Sequence, residues 1–463
     1  MRVANRIRVR DLRVDRKSEA QMIQPGLSTI ALDIGSTSIK GALIEVDTGQ
    51  LSHFTKRPFP DPISNLPSGH IEIDPNTVVQ SVLSLLAELS EYTTGHCDVW
   101  ICGQMGGVLL ADDRGRPKSN YLSWRDQRGV SPGQGRKSSL ETIRLDWPEP
   151  IFASLGRELQ PGSTSTLLHW LSETRQLPDG VLPLSIADFC VAHIAKQPGV
   201  MHTTHAIGLL DLNKLDWHYA ALERIGLGDL WWPELRSDTA SVARWKIAGR
   251  VYDIHGSYGD QQCALYGSQL QLGELSVNVS TGSQISALSE QFTSGPYQTR
   301  CYFKDQWLNT VTHLPAGRAL NGWVQLLSEL AMAEDKPLER VWETIAGKMQ
   351  AVSETQLRAN IAMHPSPVGS SGSLQNITLE NLNVGQLFLA ACHSMAENYH
   401  QQSERLAIFS PWQRLVVSGG LSSALPKLLG ILENRFQLPV RESVSEETLL
   451  GLARLAQTSK TTH

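Results

Sequence analysis

Apolar residues along the chain fall into short runs that end in turns rich in glycine, serine and threonine. The first run, residues 28–46, predicts a buried strand that ends near Asp33, a tight turn, and a second strand. Residues 275–286 repeat this order of strand, hydroxyl-rich turn and β-prone segment. Residues 414–423 add a strand that runs into a Gly-Gly turn. The repetition predicts two α/β units of the same kind within one chain.

Helical spacing of apolar residues predicts the elements between these strands. Asp74 and Pro75 are typical of a helix start, and the apolar residues that follow up to Leu89 lie on one helical face. Residues 384–399 predict a core helix, and Glu446 to Ala456 a terminal helix. The region from about 150 to 256 is predicted to be mostly helical.

Composition places the chain among globular proteins, and its length allows two domains of ordinary size or one domain with large insertions. It has 463 residues, of which 41% are hydrophobic and 19% charged, with a net charge of -5. This balance argues against nucleic acid and anionic membrane surfaces as partners. No apolar run reaches the roughly 18–20 residues of a membrane span. The six cysteines lack CxxC spacing, so neither a zinc site nor a disulfide framework is indicated, and the expected compartment is the cytoplasm.

Charge and pattern together suggest three segments. Residues 1–27 are a basic N-terminal tail, expected to be disordered, without the apolar core of a secretion signal. Residues 28–256 are predicted to form an N-terminal domain, and residues 257–463 a C-terminal domain.

The turn after Asp33 has the chemistry of a phosphate site. Hydroxyls and exposed backbone N–H groups in a tight turn make a phosphate cradle. Asp33 is a candidate for holding Mg²⁺ through water, and Lys40 for meeting phosphate charge. The alternative is a plain β-turn with an aspartate at a buried edge. Neither GxxxxGK[ST] nor a helix-opening GxGxxG is present, which excludes a P-loop and disfavours a dinucleotide-dependent oxidoreductase.

Three further polar positions follow predicted strands or open helices. Gln104 comes after the strand 97–102, where ligands of α/β sheets bind, so it is a candidate for sugar hydroxyls. Residues 124–128 place Trp124 beside charged groups that suit a polyol; the alternative is a salt-bridged loop with Trp124 in the core. Asp260 precedes an Ala/Leu/Tyr run, and its alternative role is a helix N-cap.

Taken in order, these motifs resemble the FGGY carbohydrate kinases. The motifs are DxGS/T-xxx-K, GQM-x-G, WxDxR, GDQQCALYG, N-x-S-T-G-S and SGG, within residues 28–457. GDQQCALYG together with the two phosphate turns is the most specific part. The resemblance implies the α/β fold of two actin-like (ribonuclease H-like) ATPase domains that face each other across a catalytic cleft. Residues 278–285, 300–303 and 435–440 are most similar to sedoheptulokinases, whereas 103–105 and 124–128 are shared with xylulokinases.

The resemblance also implies roles for individual residues. Asp260 would be the general base that takes the proton of the sugar hydroxyl, and Asp33 would organise Mg²⁺. The sugar pocket would be lined by four residues: Gln104, Met105, Asp126 and Asp260. The nucleotide would lie against turn residues and one lysine: Gly35, Ser36, Thr37, Lys40, Thr281, Gly282, Gly419 and Gly420.

Two positions depart from the family pattern. Ketose kinases of the family commonly have histidine after Gln-Met, and this chain has Gly106, which removes a hydrogen-bonding group from the sugar pocket. Ser422 and Ser423 stand where the adenine-side motif often carries asparagine. These departures bear on sugar identity and nucleotide affinity more than on phosphoryl transfer.

The sequence therefore predicts a carbohydrate kinase that uses ATP and Mg²⁺ and phosphorylates a ketose, with sedoheptulose the leading candidate. Xylulokinase, or a kinase for another sugar or polyol, is the alternative within the family. A catalytically silent actin-like sensor is the alternative outside it, and the presence of Asp33, Lys40 and Asp260 together argues against it. Neither nucleic acid nor membrane is an expected partner, and a homodimer is an alternative that the sequence leaves open.

Overall fold

The computed structural model describes residues 29–132 and 137–461. The predicted tail, residues 1–27, lies outside the described residues. The strands of the first part of the chain are β1 Thr29–Ile34, β2 Ser38–Glu45, β3 Gln50–Pro58, β4 Glu72–Ile73, β5 Cys97–Gly103, β6 Leu109–Ala111, β7 Tyr121–Leu122, β8 Leu182–Leu184, β9 Val200–His202, β10 Leu210–Asp211, β11 Asp216–Trp217, β12 Glu234–Arg236, β13 Ser241–Ile247 and β14 Arg250–Gly259. Its helices are α1 Pro75–Ser90, α2 Ser139–Asp146, α3 Glu149–Ser154, α4 Thr164–Glu173, α5 Ile186–Ala195, α6 Tyr219–Arg224 and α7 Asp260–Gly267.

The later part of the chain continues the same alternation of strands and helices. Its strands are β15 Glu274–Asn278, β16 Ser283–Ser289, β17 Gln298–Cys301, β18 Trp307–Leu314, β19 Arg358–Asn360, β20 Ser373–Gln375, β21 Arg414–Ser418 and β22 Val440–Glu442. Its helices are α8 Gly317–Ala333, α9 Val341–Gln350, α10 Val384–Ser403, α11 Gly420–Ala424, α12 Lys427–Phe436 and α13 Glu447–Thr461.

Two six-stranded sheets organise the molecule and have five strands of common topology: β14-β5-β1-β2-β3 corresponds to β22-β21-β15-β16-β18, whereas β13 and β17 extend opposite edges. In the first sheet the order is β13-β14-β5-β1-β2-β3, and in the second it is β17-β18-β16-β15-β21-β22. Strand β1 pairs antiparallel with β2 and parallel with β5, while β15 pairs antiparallel with β16 and parallel with β21. The predicted duplication of an α/β unit is therefore confirmed.

Each sheet has its own apolar core, and both cores follow from the sequence pattern. Every residue of β1 is buried, as expected for a continuous apolar strand covered on both faces. Helix α1 begins where predicted, since the Asp74 carboxylate accepts the Asn76 backbone N–H at 2.9 Å and Pro75 occupies the first turn. Its apolar stripe packs on the first sheet together with α5.

The prediction of mostly helical structure between 150 and 256 is wrong for its last third. Helices α3 to α6 lie in this region, but β13 and β14 form a long antiparallel hairpin at the edge of the first sheet. The connecting residues Ala248 and Gly249 have φ of 49° and 79°, which matches the two-residue turn that fits the twist of paired strands. Alternating burial of Ala243 and Trp245 in β13 is the period-two signal of a half-buried strand.

Helix α13 returns from the second unit to the first and joins the two sheets. It packs along α7, and both helices share an apolar cluster with residues of the two sheets, such as Trp100 and Val416. A Cβ at Gly267 would overlap the Glu447 carbonyl oxygen, and one at Gly451 would overlap the Cys263 carbonyl oxygen. Glycine at these two positions therefore lets the helix backbones touch. The predicted terminal helix is confirmed.

Two further properties of the described residues concern membrane spans and cysteines. Within the described residues, every helix is too short or too polar to cross a membrane. All six cysteines are buried as free thiols.

Candidate active site

Three neighbouring parallel strands of the first sheet end side by side. Asp33 of β1 is in register with Cys102 of β5, and Cys102 is in register with Tyr258 of β14. Gln104 follows β5, and Asp260 follows β14. Carboxyl ends of parallel strands are where ligands of open α/β sheets bind. The fold thus brings three of the predicted site residues, which are far apart in sequence, to one edge.

Asp33 has one oxygen held and one oxygen free. Its Oδ2 accepts a hydrogen bond from the Thr448 hydroxyl at 2.7 Å, and its buried Oδ1 has no hydrogen-bond partner among the described residues. Burial raises the pKa of Asp33, opposed by the Thr448 hydrogen bond and by the charge of Lys40. A buried carboxylate oxygen without a donor is costly unless a cation or proton compensates it. The residues present therefore fit Mg²⁺, a cation that prefers oxygen ligands.

Asp260 is the first residue of α7 and is largely buried. The Gln261 backbone N–H donates to its Oδ1 at 2.8 Å. Burial, and next the charge of Asp33, raise the pKa of Asp260 to about 7, while Arg300 acts in the opposite direction. A carboxyl group that titrates near neutral pH can take up and release a proton under cellular conditions. The geometry gives Asp260 the properties of a general base.

Gln104 and its neighbours line the same edge. Gln104 is buried, its Oε1 accepts the Tyr121 hydroxyl at 3.4 Å, and its Nε2 has no partner among the described residues. A buried amide donor of this kind fits a ligand oxygen. The Met105 sulfur lies against Gly259, just before Asp260.

The glycine at position 106 is explained by its backbone. Gly106 has φ of 75°, a left-handed conformation that any side chain disfavours. A Cβ at this position would also lie 3.2 Å from the Trp124 Cβ. The positive φ and the close approach of Trp124 both favour glycine over histidine at this position.

Asp126 lies in an internal ion pair. It is fully buried; its Oδ1 accepts the Arg128 backbone N–H at 2.8 Å, and its Oδ2 accepts the Ile71 N–H at 2.7 Å. The Arg128 guanidinium binds both oxygens. The loop is salt-bridged, as in the alternative interpretation, although Trp124 is 38% exposed and lies outside the core. A sugar-binding role for Asp126 stays a prediction, and the occupied oxygens speak against it.

The first phosphate turn is held from the far end of the chain. Residues 35–37 connect β1 and β2, and Ser36 and Thr37 are at least partly exposed. The Lys40 ammonium group pairs with Glu446 at 2.8 Å, and both side chains are about one-third exposed. The Lys40 side chain beside the turn is therefore oriented by the carboxylate of Glu446, the residue just before α13.

The second phosphate turn and the double-glycine turn lie next to each other. They follow β15 and β21, which pair in parallel with Asn278 opposite Ser418. The Val279 backbone N–H donates to the Ser418 carbonyl at 2.7 Å. Gly419 has φ of 97°, and a Cβ there would overlap the Val279 carbonyl oxygen. Only glycine fits this crossing, which brings the two turns together.

The two turns also offer open surface. Thr281 and Gly282 are exposed, and a Cβ at Gly420 would meet no atom within 4 Å. The Ser422 hydroxyl donates to the Gly419 carbonyl at 2.7 Å, so the residue in place of the family's asparagine closes the turn. The backbone at Gly282 and Gly420 is therefore accessible, since a Cβ at either glycine would meet no atom within 4 Å.

Sequence reasoning missed the partners that hold the site together. Thr448 bonds Asp33 across 415 positions, and Glu446 bonds Lys40 across 406. A buried ion pair of Glu158 and Arg300 also contacts the start of α7. No local pattern marks these residues, since an isolated threonine, glutamate or arginine is ordinary surface composition.

Comparison with known proteins agrees with this architecture. Two sheets that share a five-stranded topology, with turns at their strand ends, define a two-domain actin-like (ribonuclease H-like) ATPase fold. The model for the FGGY family of carbohydrate kinases, N-terminal domain, matches residues 28–267. The chain therefore belongs to the FGGY family of carbohydrate kinases.

Individual relatives are distant. A sedoheptulokinase of Mus musculus is 22% identical over 477 residues, covering 92% of this chain and 96% of the relative. A glycerol kinase of Saccharolobus islandicus is 23% identical over 276 residues, covering 55% of this chain and 52% of the relative. The chain thus spans about half the length of the glycerol kinases that it matches.

Solved structures share the fold over most of the chain. Plasmodium falciparum glycerol kinase with ADP superposes with a TM-score of 0.78 at 17% identity, covering 94% of this chain and 90% of that one. A xylulose kinase from Rhodospirillum rubrum gives a TM-score of 0.76 at 18% identity, covering 92% and 89%. At this identity the likeness concerns architecture alone.

Proposed function

We propose that the protein is an ATP-dependent carbohydrate kinase that transfers the γ-phosphoryl group of MgATP to a hydroxyl of a ketose. Asp260, a carboxyl group with a pKa of about 7 at the strand ends beside Asp33, is the observation that carries this proposal. Sedoheptulose, with sedoheptulose 7-phosphate as product, is the first substrate to test. Sedoheptulose is tested first because a sedoheptulokinase matches this chain over nearly the full length of both chains.

The proposed step needs one proton acceptor. The Asp260 carboxylate takes the proton of the acceptor hydroxyl while the hydroxyl oxygen forms a bond to the γ-phosphorus. The bond from that phosphorus to the oxygen bridging to the β-phosphate breaks, and ADP leaves with the electron pair. Phosphoryl transfer depends on positioning and charge stabilisation more than on covalent chemistry of the protein.

Asp33 and the turns supply the remaining requirements. The unpartnered Oδ1 of Asp33 fits Mg²⁺, which neutralises phosphate charge when it is bound with the nucleotide. We assign the phosphates to the turns 35–37 and 281–282 and to Lys40, and the rest of the nucleotide to Gly419 and Gly420. The sugar is assigned to Gln104, whose buried amide donor has no partner among the described residues, and to Met105.

The proposal includes a cytoplasmic setting. All six cysteines are free and buried, which fits a reducing compartment. A reducing, ATP-containing compartment supplies the co-substrate of the proposed reaction.

Release of ADP from MgATP in the presence of single sugars tests the proposal. The panel contains sedoheptulose, xylulose, ribulose, fructose and glycerol, and Asp260→Asn is assayed beside the wild type. Loss of a general base costs about 10²–10⁴ in rate. Asp253→Asn is the matched control. Asp253 lies on β14, the strand that leads to Asp260, but it binds Arg244 and His96 away from the carboxyl end of the strand.

Each outcome has a distinct meaning. A sugar-dependent rate that falls in Asp260→Asn and survives in Asp253→Asn supports a kinase with this base. Silence with every sugar while MgATP still binds favours the sensor. An active sugar whose turnover is unchanged in Asp260→Asn means that another group is the base.

A further inference from the structure

A buried ion pair lies behind the start of α7. The side chains of Glu158 and Arg300 are 3% and 9% exposed. Arg300 Nε donates to Glu158 Oε1, and Arg300 Nη1 donates to the side-chain oxygen of Gln261. Glu158 lies between α3 and α4, Arg300 lies on β17, and Gln261 is the second residue of α7. Three separate elements therefore meet at one guanidinium group.

Further bonds fix both members of the pair. Glu158 Oε2 accepts the Gln298 amide at 3.1 Å, and Gln298 accepts the Thr312 hydroxyl at 2.8 Å. The Thr299 backbone N–H donates to the Gly156 carbonyl at 3.0 Å. A Cβ at Gly156 would overlap the Thr299 carbonyl oxygen, so only glycine allows this approach. The loop that carries Glu158 is thereby locked to the edge of the second sheet.

Hydrogen-bond chemistry transmits this order to Asp260. A guanidinium group only donates, so it holds the Gln261 amide with its oxygen toward Arg300. The backbone N–H of the same Gln261 donates to Asp260 Oδ1. A continuous path of bonds thus runs from Glu158 through Arg300 and Gln261 to the carboxylate.

Stability alone does not account for the pair. Moving two charges out of water costs several kcal/mol per ion, and well-packed apolar residues in their place are often as stable. A buried pair with directional bonds is useful where a neighbouring group must keep one orientation. The neighbouring group here is Asp260.

We propose that Arg300, held in place by Glu158, is a positioning residue that fixes the Asp260 carboxylate toward the acceptor hydroxyl. This inference rests on the proposed function. The charge of Arg300 also lowers the pKa of Asp260, in opposition to the effects of burial and of Asp33.

Kinetics of single and double variants test the proposal. Arg300→Met is expected to lower kcat with sugar by about 10–100-fold, the size of effect that a misplaced group of about 1 Å produces. The KM for MgATP should stay within about twofold, since the side chain of Arg300 bonds Glu158 and Gln261, neither of which is assigned to the nucleotide. Arg300→Lys should recover part of the loss, because it restores the charge and one donor.

The double variant separates positioning from general damage. In an Asp260→Asn background, Arg300→Met should cause no further loss, because residues that act through one group are not additive. Losses that multiply would overturn the proposal. Glu149→Gln is the matched control: it removes the ion pair between exposed Glu149 at the start of α3 and Arg157, a neighbour of Glu158, and activity should be unchanged.

Crystal structures provide a readout that needs no activity. In Arg300→Met the Gln261 amide should turn and the Asp260 carboxylate should move from its wild-type position. An unmoved carboxylate in both Arg300→Met and the milder Arg300→Lys overturns the inference, whether or not any sugar is phosphorylated. Wild-type protein that binds MgATP yet phosphorylates no sugar rejects the proposed function instead, and a moved carboxylate would still support the positioning role.

Discussion

At the scale of single residues, Asp260 shows how burial can prepare a carboxylate for proton transfer. Its polar neighbours come from several elements: Asp33, Cys102, Tyr121, Cys263 and Arg300. Burial and the negative charge of Asp33 outweigh the attraction of Arg300, so the pKa rises to about 7. The proton affinity of Asp260 is thus set by its burial and by the charges of its neighbours.

The rate should follow this titration. With Asp260 as the base, kcat/KM should rise with pH through about 7 and level off above it, because only the carboxylate accepts a proton. A pH–rate profile with a sugar from the panel measures this. A profile that is already flat at pH 5.5 would show that the base titrates elsewhere.

The same shift predicts a change in stability. The folded carboxyl binds its proton more tightly than the unfolded one, so stability falls as pH rises from about 4 to about 7. Asp260→Asn should therefore raise the free energy of unfolding by about 1–4 kcal/mol at pH 8 and leave it nearly unchanged at pH 4. Urea unfolding at the two pH values measures the difference.

Asp253→Asn provides the comparison of opposite sign. The hydrogen bond from Arg244 lowers the pKa of Asp253, and the hydrogen bond with His96 lowers it further. Its folded-state carboxylate is stabilising above its unfolded pKa, so the substitution should lower stability at pH 8 and matter less as pH falls through the folded pKa. A gain in stability at pH 8 in both variants would show that the Asp260 effect is unspecific.

Sequence could predict those site residues that follow a recognisable strand or open a helix. Asp33, Gln104 and Asp260 belong to this group, and the structure brings them to one sheet edge. Thr448 was not predictable, because its role depends on a contact between chain segments 415 positions apart. For Asp126, the neighbouring Arg128 offered the ion-pair interpretation in the sequence itself.

At the scale of elements, the crossing of α7 and α13 depends on two glycines. Gly451→Ala should lower the free energy of unfolding by about 1–3 kcal/mol or more, because a methyl group would overlap the Cys263 carbonyl and force the helices apart. Denaturant unfolding measures this loss. Sugar-dependent ADP release should fall with it, since α7 begins with Asp260.

A second helical glycine provides the control. Gly430 is an exposed residue within α12, and a Cβ there would meet no atom within 4 Å. Gly430→Ala should therefore raise stability by about 0.5–1 kcal/mol through helix propensity. Equal effects of both substitutions would contradict the close approach of α7 and α13.

Element prediction succeeded where the apolar pattern and a turn signal coincide, as in β1 to β2 and at the start of α1. It failed for β13 and β14, whose Ala-Gly turn is a weaker signal than Asn-Gly or Asp-Gly. Charged residues on the exposed face of β13 further obscured the alternation. The hairpin is fixed by packing of its buried face on α5, which sequence alone does not display.

At the scale of the whole molecule, the proposed ligands must be held by both units at once. Asp33 and the turn 35–37 belong to the first sheet, and the turns near Thr281 and Gly419 belong to the second. Duplication was visible in the sequence because strand and turn recur in the same order. How the copies face each other was not, because it depends on α13 and on side chains such as Glu158 that pair across the units.

Binding of both substrates should therefore draw the units together. A groove of about 830 Å³ also lies between them; its lining includes Arg157 of the first unit and Thr312 of the second, but neither Asp33 nor Asp260. Small-angle X-ray scattering should show a smaller radius of gyration with MgATP analogue and sugar than with either alone, since closure excludes water from the reacting groups. An unchanged radius during measurable turnover would argue for a rigid cleft.

Because α13 packs back on the first unit, the first unit is translated before the helix that completes its packing. A growing chain leaves the ribosome from its N-terminal end, so β1 and α7 emerge long before the helix that covers them. Thr448, the partner of Asp33, is translated 415 residues later. Until then the face of α7 that packs against α13 is uncovered. Asp33 thus acquires its Thr448 partner, and α7 its covering helix, only after the second unit has been translated.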